Sequence, residues 1–475
     1  DATHYIAFLQ RLVGRITIAL EGKQQKGTIP VLDGIRALAC LAVVAYHISL
    51  MTIQDTPLWT PQHTPTLIAA IALSGDTGVT LFFVLSGFLL FRPYVKALLF
   101  PDTDWPSTWR FYLRRALRIL PVYYISLIAL AIILAPNYFN LDHARQWLLF
   151  LTLFMDSSAR TYQQINGPFW TLAVEWQFYL LLPFIALGMA LLVNRFKSFQ
   201  HRLFALLTCL GLLIVWGIGT RTLGLYMTSH PNGIFLPRAI LTKIMPFIYG
   251  PLSSTGLHGK FMEDFAIGML ASTCYTLSLY QQGESKFQMT LNKLAPLFFA
   301  AGVLLLLTMA LWKLNNAFQL VPVFDPVNGL YSNLSEFGFA SGYGLCIVAA
   351  LFGASWLKGP FEWRPLRWIG ILSYSIYMWH LPVLKIFSDH FIAPLQGIEP
   401  KPILYGMYWA CLLVLVIPLC FVIFLSIEKP GMALIKYLPF ANKNGRAIPE
   451  VVSPPVANKN GRAIPEVVSP PERLG

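Results

Sequence analysis

The sequence predicts an all-α protein: a polytopic transmembrane helix bundle of about ten spanning helices, with both termini cytoplasmic. Three observations lead there. Apolar residues make up 56% of the chain and charged residues only 12%, against about 25% charged in soluble domains. The apolar residues fall in blocks of about 20, the length that crosses the hydrocarbon core of a bilayer. The cations sit at the ends of those blocks, where they orient helices across a membrane. The net charge of +13 is therefore spread over helix ends and does not form one soluble basic face, so no nucleic-acid partner is expected.

The expected spans are 31–53, 75–93, 117–136, 169–193, 203–220, 261–281, 294–312, 336–357, 366–388 and 403–427. A further apolar run, Gln146–Met155, has only about half the length a crossing needs. Charge decides its fate. If this run stays on one side and the N-terminus is cytoplasmic, the cytoplasmic loops hold Arg92, Lys96, Arg110, Arg114, Arg115, Arg118, Arg195, Lys197, Arg202, Lys286, Lys293, Lys358, Arg364 and Arg367. The outer loops hold only Arg145, Arg160, Arg221, Arg238, Lys243, Lys260, Lys313 and Lys401. If the run crossed, every later loop would change sides and the bias would vanish, so ten spans is the better count.

Three regions follow: an N-terminal cytoplasmic or interfacial segment (1–30), a transmembrane domain (31–430) and a tail (431–475). The first 25 residues show no short apolar core followed by a small-residue cleavage site, so no signal peptide is expected. In the tail, Ala441–Pro455 reads ANKNGRAIPEVVSPP and Ala457–Pro471 repeats it letter for letter. Its Pro, Gly, Asn and charge predict disorder unless something outside it ties it down, and a protein partner docking on the two copies is one candidate. The cysteines, Cys40, Cys209, Cys274, Cys346, Cys411 and Cys420, all lie in apolar blocks without CxxC spacing; neither a disulfide nor a metal site is expected.

Ionisable residues inside spanning helices are costly, and each is a functional candidate. The first span reads VLDGIRALACLAVVAYH. At about 100° per residue, Asp33, Arg36 and His47 fall near one face, and His47 lies about 16 Å deeper than Arg36. A shielded imidazole that titrates near neutrality suits a general base; the plainer reading is an interfacial Asp33–Arg36 pair and a packing histidine. Arg115 and Arg118 share a face at the expected mouth of the third span. Such a guanidinium pair fits a phosphate-bearing ligand, or simple anchoring. Glu175, with Tyr179 four residues on, lies one to two turns inside its helix and needs a partner or a wet cavity. Ser373, Tyr377 and His380 form a polar seam on one helix face. No phosphate-cradling Gly-rich loop, HExxH or GxSxG is present, so neither a nucleotide-driven pump nor a hydrolase has its motor here.

Together LDGIRALACLAVVAYH (32–47), GVTLFFVLSGFLLFRPY (78–94), FYLRRALRILPVYY (111–124), PFWTLAVEWQFYLLLP (168–183), FMEDFAIGMLA (261–271) and LSYSIYMWHLPV (372–383) resemble the acyltransferase 3 family of bacterial-type membrane O-acyltransferases. The motifs fall in the family's order, and the spacing of Arg36 and His47 is its hallmark. The resemblance implies a ten-helix domain in a bacterial-type inner membrane. It implies an acyl-CoA donor, usually acetyl-CoA, entering from the cytoplasm as co-substrate with no bound cofactor. It implies His47 and Arg36 as the catalytic pair, aided by Asp33 and Glu175, and Arg115 and Arg118 as donor-binding residues. Ser86, Trp170, Tyr179, Ser373, Tyr377 and His380 are left as acceptor-binding or structural polar residues. Thr80 departs from the family, which often has Asp there. Some members carry a fused extracytoplasmic esterase-like domain; with about 48 residues after the last span, none is expected in this chain.

The expected activity is O-acyl transfer to a hydroxyl of a cell-envelope glycan, lipid or glycoside. His47 takes the hydroxyl proton, Arg36 or a nearby donor stabilises the oxyanion, Asp33 orients the cation, and Glu175 and His380 hold the acceptor. Transfer is either direct or through an acyl-His47 intermediate. Two other readings use the same residues: a transporter with a polar pathway, and an inactive relative serving as a structural subunit of a membrane complex. No inverted repeat supports the first, and retention of the costly Arg36, His47, Arg115, Arg118 and Glu175 argues against the second.

Overall fold

The computed structural model describes residues 14–20, 29–55, 64–230, 252–253, 256–257, 260–280, 286–395 and 401–434. Both termini and the repeated tail lie outside these residues; the boundary expected at 430 falls within the helix Lys429–Ala433. Residues 14–20 are a short helix in a unit of their own; Pro30–Tyr437 form the other compact unit.

That second unit is a helical bundle, and all ten expected blocks fall on helices. α1 spans Pro30–Asp55. α2 (Thr66–Leu73) runs through a tight 3-10 turn at Ser74–Thr77 into α3 (Gly78–Leu99). α4 (Thr108–Leu134) starts earlier than its apolar pattern, because the polar first turns are capped by Ser107. Next come α5 (Ala144–Leu151), α6 (Phe169–Val193), α7 (Phe199–Ser229), α8 (Met262–Tyr280) and α9 (Lys286–Phe318). α10 (Tyr331–Phe352) ends before the short α11 (Ser355–Glu362), which splits the expected block 336–357, and α12 (Arg364–Phe387) follows. The last helical run joins α13 (Lys401–Cys411), α14 (Ile417–Ile423) and α15 (Lys429–Ala433) through π turns at Leu412–Val416 and Phe424–Glu428. Among the described residues the only strand pairing is two residues on each side, Leu252–Ser253 with Gly256–Leu257.

By length and apolarity, 8 helical runs among the described residues are fit to cross a bilayer. α8 and α12 fall short. α8 opens with Glu263 and Asp264, and α12 carries Arg364, Arg367, Ser373, Ser375 and His380. Both pack against other helices, and Glu263, Asp264, Ser373, Ser375 and His380 are buried in protein instead of facing lipid. Outside them, Ile125, Ile128 and Ile132 of α4, Phe184, Leu187 and Leu191 of α6, and Leu212, Val215 and Trp216 of α7 are bare. Soluble monomers rarely expose such stripes. The chain is an integral membrane protein.

The run 146–155 becomes α5 and a short turn at Met155–Ser157. Eight residues rise only about 12 Å, too little to cross. Helix direction agrees. α1 and α12 touch at Asp33 with Gly370, Cys40 with Ser373, and His47 with His380. The numbers rise together, so the two helices are parallel. α3 and α8 are parallel too, meeting first at Phe83 with Phe261 and last at Arg92 with Tyr275. α9 and α10 are antiparallel, with Gly302 on Cys346 and Met309 on Gly338. These directions fit one reversal per long helix and none at α5.

Close approach at the parallel seam needs glycine. A Cβ on Gly370 would collide with the Asp33 carbonyl, and one on Gly268 with the Val84 carbonyl between α8 and α3. Ion pairs hold three of the cations expected in outer loops. Arg221 of α7 bonds Glu263 of α8 through Nε and a terminal nitrogen at 2.9 and 2.6 Å, both side chains buried. Lys260 pairs with buried Asp156, and Lys313 with Asp76. Burial pushes the Lys260 ammonium below its ordinary value, while the charge of Asp156 pulls it back. Three cations counted on the poorer side are thus neutralised by acids. Conversely, Arg115 and Arg118, counted as loop charge, lie inside α4.

If α5 does not cross, Asp104 before α4 and Ser198 before α7 share a side. A single added cysteine at either exposed position should respond alike to a membrane-impermeant thiol reagent in intact cells; opposite responses would overturn the ten-helix alternation.

Candidate active site

A cavity of about 100 Å³ opens between α1, α3, α4, α6 and α12, room for several waters or a small acyl group. Three guanidinium groups line it, Arg36, Arg115 and Arg118, with one carboxylate, Glu175. Hydroxyls of Ser86, Thr171, Tyr179, Ser373, Tyr374 and Tyr377 complete the polar wall, and Phe82 and Phe83 are among its apolar residues.

The arginines are placed differently from expectation. Arg115 and Arg118 lie about two and three turns inside α4, beside Arg36, and not at a helix mouth. The reason is the early start of α4 at the Ser107 cap, whose Oγ accepts from the Arg110 amide at 3.5 Å. Arg36 keeps the predicted neighbour, bonding Asp33 Oδ1 at 3.2 Å one turn back. Arg115 and Arg118 have no hydrogen bond or ion pair with any described residue, and the Nε of Arg115 is buried without a partner. Their like charges repel each other and Arg36. Cations so arranged attract an anion.

Glu175 Oε1 accepts from both the Ser86 and the Tyr179 hydroxyl, which fixes the carboxylate facing Arg115 and Arg36. It shares the arginine cavity. Proline shapes the walls by freeing carbonyls four residues back. Pro382 frees the Met378 carbonyl, which accepts from Asn166 Nδ2 at 2.8 Å and so ties the loop before α6 to α12. Pro121 frees the Leu117 carbonyl, over which Gly431 of α15 passes closely. The Tyr374 hydroxyl donates to the Ile119 carbonyl at 2.9 Å, fastening α12 to α4.

His47 and Arg36 share a face but not a contact. Eleven residues separate them by about 16 Å along the axis, too far for their side chains to meet. His47 Nδ1 lies 3.0 Å from Nε2 of His380 on α12, rings 5.1 Å apart. The Tyr377 ring stands between the histidines and the cavity, 5.9 Å from His380, with its hydroxyl 2.8 Å from Thr171 Oγ1. Ser373 lines the cavity and takes the Cys40 thiol on its carbonyl at 3.6 Å. Trp170 does not line it; its ring packs, tilted, against Tyr162 and Phe261. Thr80 donates to Glu336 at 2.8 Å, a bond that aspartate could not make to a second carboxylate.

Three further residues escaped the sequence reading. Glu428, 1% exposed in the second π turn, accepts from Ser375 at 3.1 Å and faces the charges of Arg118 and Arg36. Its signal was a carboxylate one residue past the last apolar block. Asp76 places its charge on His47 while held by Lys313, and nothing in its local sequence announces that. Thr171 was hidden among the apolar residues of its motif.

A family model described as an acyltransferase domain matches residues 29–425. A putative peptidoglycan O-acetyltransferase, YrhL, of Bacillus subtilis is 25% identical over 425 residues, 85% of this chain and 54% of that protein. The peptidoglycan O-acetyltransferase OatA of Listeria monocytogenes is 24% identical over 384 residues, 75% of this chain and 50% of that protein. A putative O-acetyltransferase of Staphylococcus aureus is 23% identical over 384 residues, 77% of this chain and 52% of that protein. The chain therefore spans about half the length of the curated relatives it matches. No solved structure matches. With a family model covering most of its helical unit, the chain belongs to the acyltransferase 3 family of membrane acyltransferase domains.

Proposed function

We propose that this chain is a membrane O-acyltransferase that moves an acyl group, acetyl first among candidates, from acyl-CoA to a hydroxyl of a cell-envelope glycan, lipid or glycoside in a bacterial-type inner membrane. The observation that carries this reading is the cavity in which two arginines without a hydrogen bond or ion pair to any described residue adjoin an ion-paired arginine, next to a hydroxyl-bound carboxylate. The acetyl group and a peptidoglycan-type acceptor are suggested by the names of the relatives.

The roles follow from chemistry. Arg115 and Arg118 bind the anionic part of the donor, since each offers a planar fork of donors that no described residue occupies with a hydrogen bond. Arg36, steadied by Asp33, holds the donor at the arginine end of the cavity, and a hydroxyl of the cavity wall nearer His47 stabilises the oxyanion. Glu175, with Ser86 and Tyr179, holds polar substrate groups against the arginines, and Ser373 and Tyr377 line the approach. His47 removes the acceptor proton as the new C–O bond forms. The C–S bond then breaks, and the thiolate takes that proton from His47. Trp170 supports the wall through its tilted contacts with Tyr162 and Phe261.

Replacing His47 by Ala should leave the protein inserted and lower O-acyl transfer by at least about 100-fold, the scale of a lost general base. Mass spectrometry of envelope glycans and lipids from cells making the unaltered chain or His47→Ala reads this out. Full acylation with His47→Ala would sink the assignment, and a missing acyl mass names donor group and acceptor together.

A second measurement separates charge from geometry. Arg115→Lys and Arg118→Lys keep the charge and lose the fork. Each should raise the donor KM about 10-fold, one charge-assisted contact's worth, with insertion unchanged. An unaltered donor KM in both would return the pair to anchoring.

A further inference from the structure

The histidine pair lies where the backbone dictates which nitrogen carries hydrogen. Nδ1 of His380 stands 3.0 Å from the Ile376 carbonyl and 2.9 Å from the Tyr377 carbonyl. Carbonyl oxygens only accept, so this nitrogen bears the hydrogen. His380 is 0% exposed, and burial favours the neutral ring. A neutral imidazole has a single N–H, so Nε2 of His380 is a bare acceptor. The atom facing it at 3.0 Å is Nδ1 of His47, which must therefore donate.

The Val43 carbonyl, four residues back, also favours a hydrogen on the His47 ring. At His230, His380 and His390 the nitrogen that meets the carbonyl four residues back is Nδ1. Both neighbours of His47 thus call for hydrogen on the same nitrogen. Nε2 of His47 is left with a free lone pair.

We infer that His380 is a positioning residue: as a neutral hydrogen-bond acceptor on α12 it holds His47 of α1 in the tautomer whose Nε2 is the proton-accepting atom. This rests on the reading of His47 as general base. In the step itself the acceptor hydroxyl passes its proton to Nε2, the ester C–O bond forms, the thioester C–S bond breaks and the departing thiolate receives the proton from Nε2. The Nδ1 hydrogen stays on its bond to His380 throughout. While His47 carries both hydrogens, that bond is charge-assisted and stronger, so His380 steadies the imidazolium as well as the neutral ring. A neutral acceptor suits a membrane interior, because a carboxylate in its place would bring a second charge needing compensation. The charge on the imidazolium is answered from a distance by Asp76.

The test uses the full chain in lipid vesicles with acetyl-CoA and has two arms. In the first, His380→Gln offers an amide oxygen where Nε2 stood, and His380→Leu fills similar space with no acceptor. His380→Leu should lower kcat about 100-fold, the range of one general-base contact, with the donor KM unchanged. His380→Gln should recover at least about 10-fold of that loss. A Leu variant as active as the unaltered chain, or a Gln variant no better than Leu, overturns the proposal. The second arm needs no His380 variant to fold. Nitrogen NMR of the unaltered protein with labelled histidine, using His47→Gln to identify the His47 signals, should find Nδ1 protonated and Nε2 bare. The opposite tautomer overturns the proposal. The two readings fail separately: activity retained in His47→Ala removes the general base and leaves the tautomer measurement standing.

Discussion

The cost of holding three guanidinium groups inside a membrane bundle governs this structure. A cation in a low-dielectric interior must be paired, hydrated or offered an anion. Arg36 has Asp33 one turn away, and Glu428 and Glu175 lie within electrostatic reach. Arg115 and Arg118 have no hydrogen bond or ion pair among the described residues; Glu175 faces Arg115 and Glu428 faces Arg118 without touching them, which leaves both guanidinium groups able to bind an anion. The supporting groups serve this balance. Ser86 and Tyr179 hold Glu175 from the same cavity, and Ser375 holds Glu428 from behind. Glu263 and Asp264 of α8 and Ser373, Ser375 and His380 of α12 are likewise buried in protein.

The parallel seam of α1 and α12 turns that charge balance into geometry. Contacts at Cys40 with Ser373 and His47 with His380 are seven residues apart on both helices. This is the spacing at which one face of a helix returns to its partner. Gly370 lets the backbones approach beside Asp33, close to the root of Arg36. One seam thus carries the arginine anchor at one end and the histidine pair at the other, with Tyr377 between the histidines and the cavity. A shift of one residue along this seam would turn His380 away from His47 by about 100°.

Elsewhere the bundle spends polar contacts on rigidity. The loop between α5 and α6 has left-handed backbone at Leu153, Gln163 and Ile165. It is fastened by Asp156 with Lys260 and Gln177, and by Asn166 on the carbonyl that Pro382 leaves free. Strained backbone persists where its surroundings over-determine it. Here those surroundings are Gln177 of α6, Lys260 just before α8 and the Met378 carbonyl of α12; α6 and α12 border the cavity.

The sequence by itself determined the helices and the inventory of polar residues. Block length and composition located all ten, because the bilayer requires about twenty apolar residues per crossing whatever the neighbours are. Helical periodicity placed Arg115 with Arg118 and Asp33 with Arg36, since contacts three residues apart are local. The same reasoning read α5 as too short to cross. It went wrong where packing decides. Arg36 and His47 share a face but turn to different partners. Arg115 and Arg118 moved from a helix mouth into the cavity once the cap at Ser107 set the start of α4. The helical wheel could not pair His47 with His380 across 333 residues of chain, nor bring Asp76 to His47 or Glu428 to Arg118. A single helix fixes which side chains point the same way; only the approach of another helix decides what they point at.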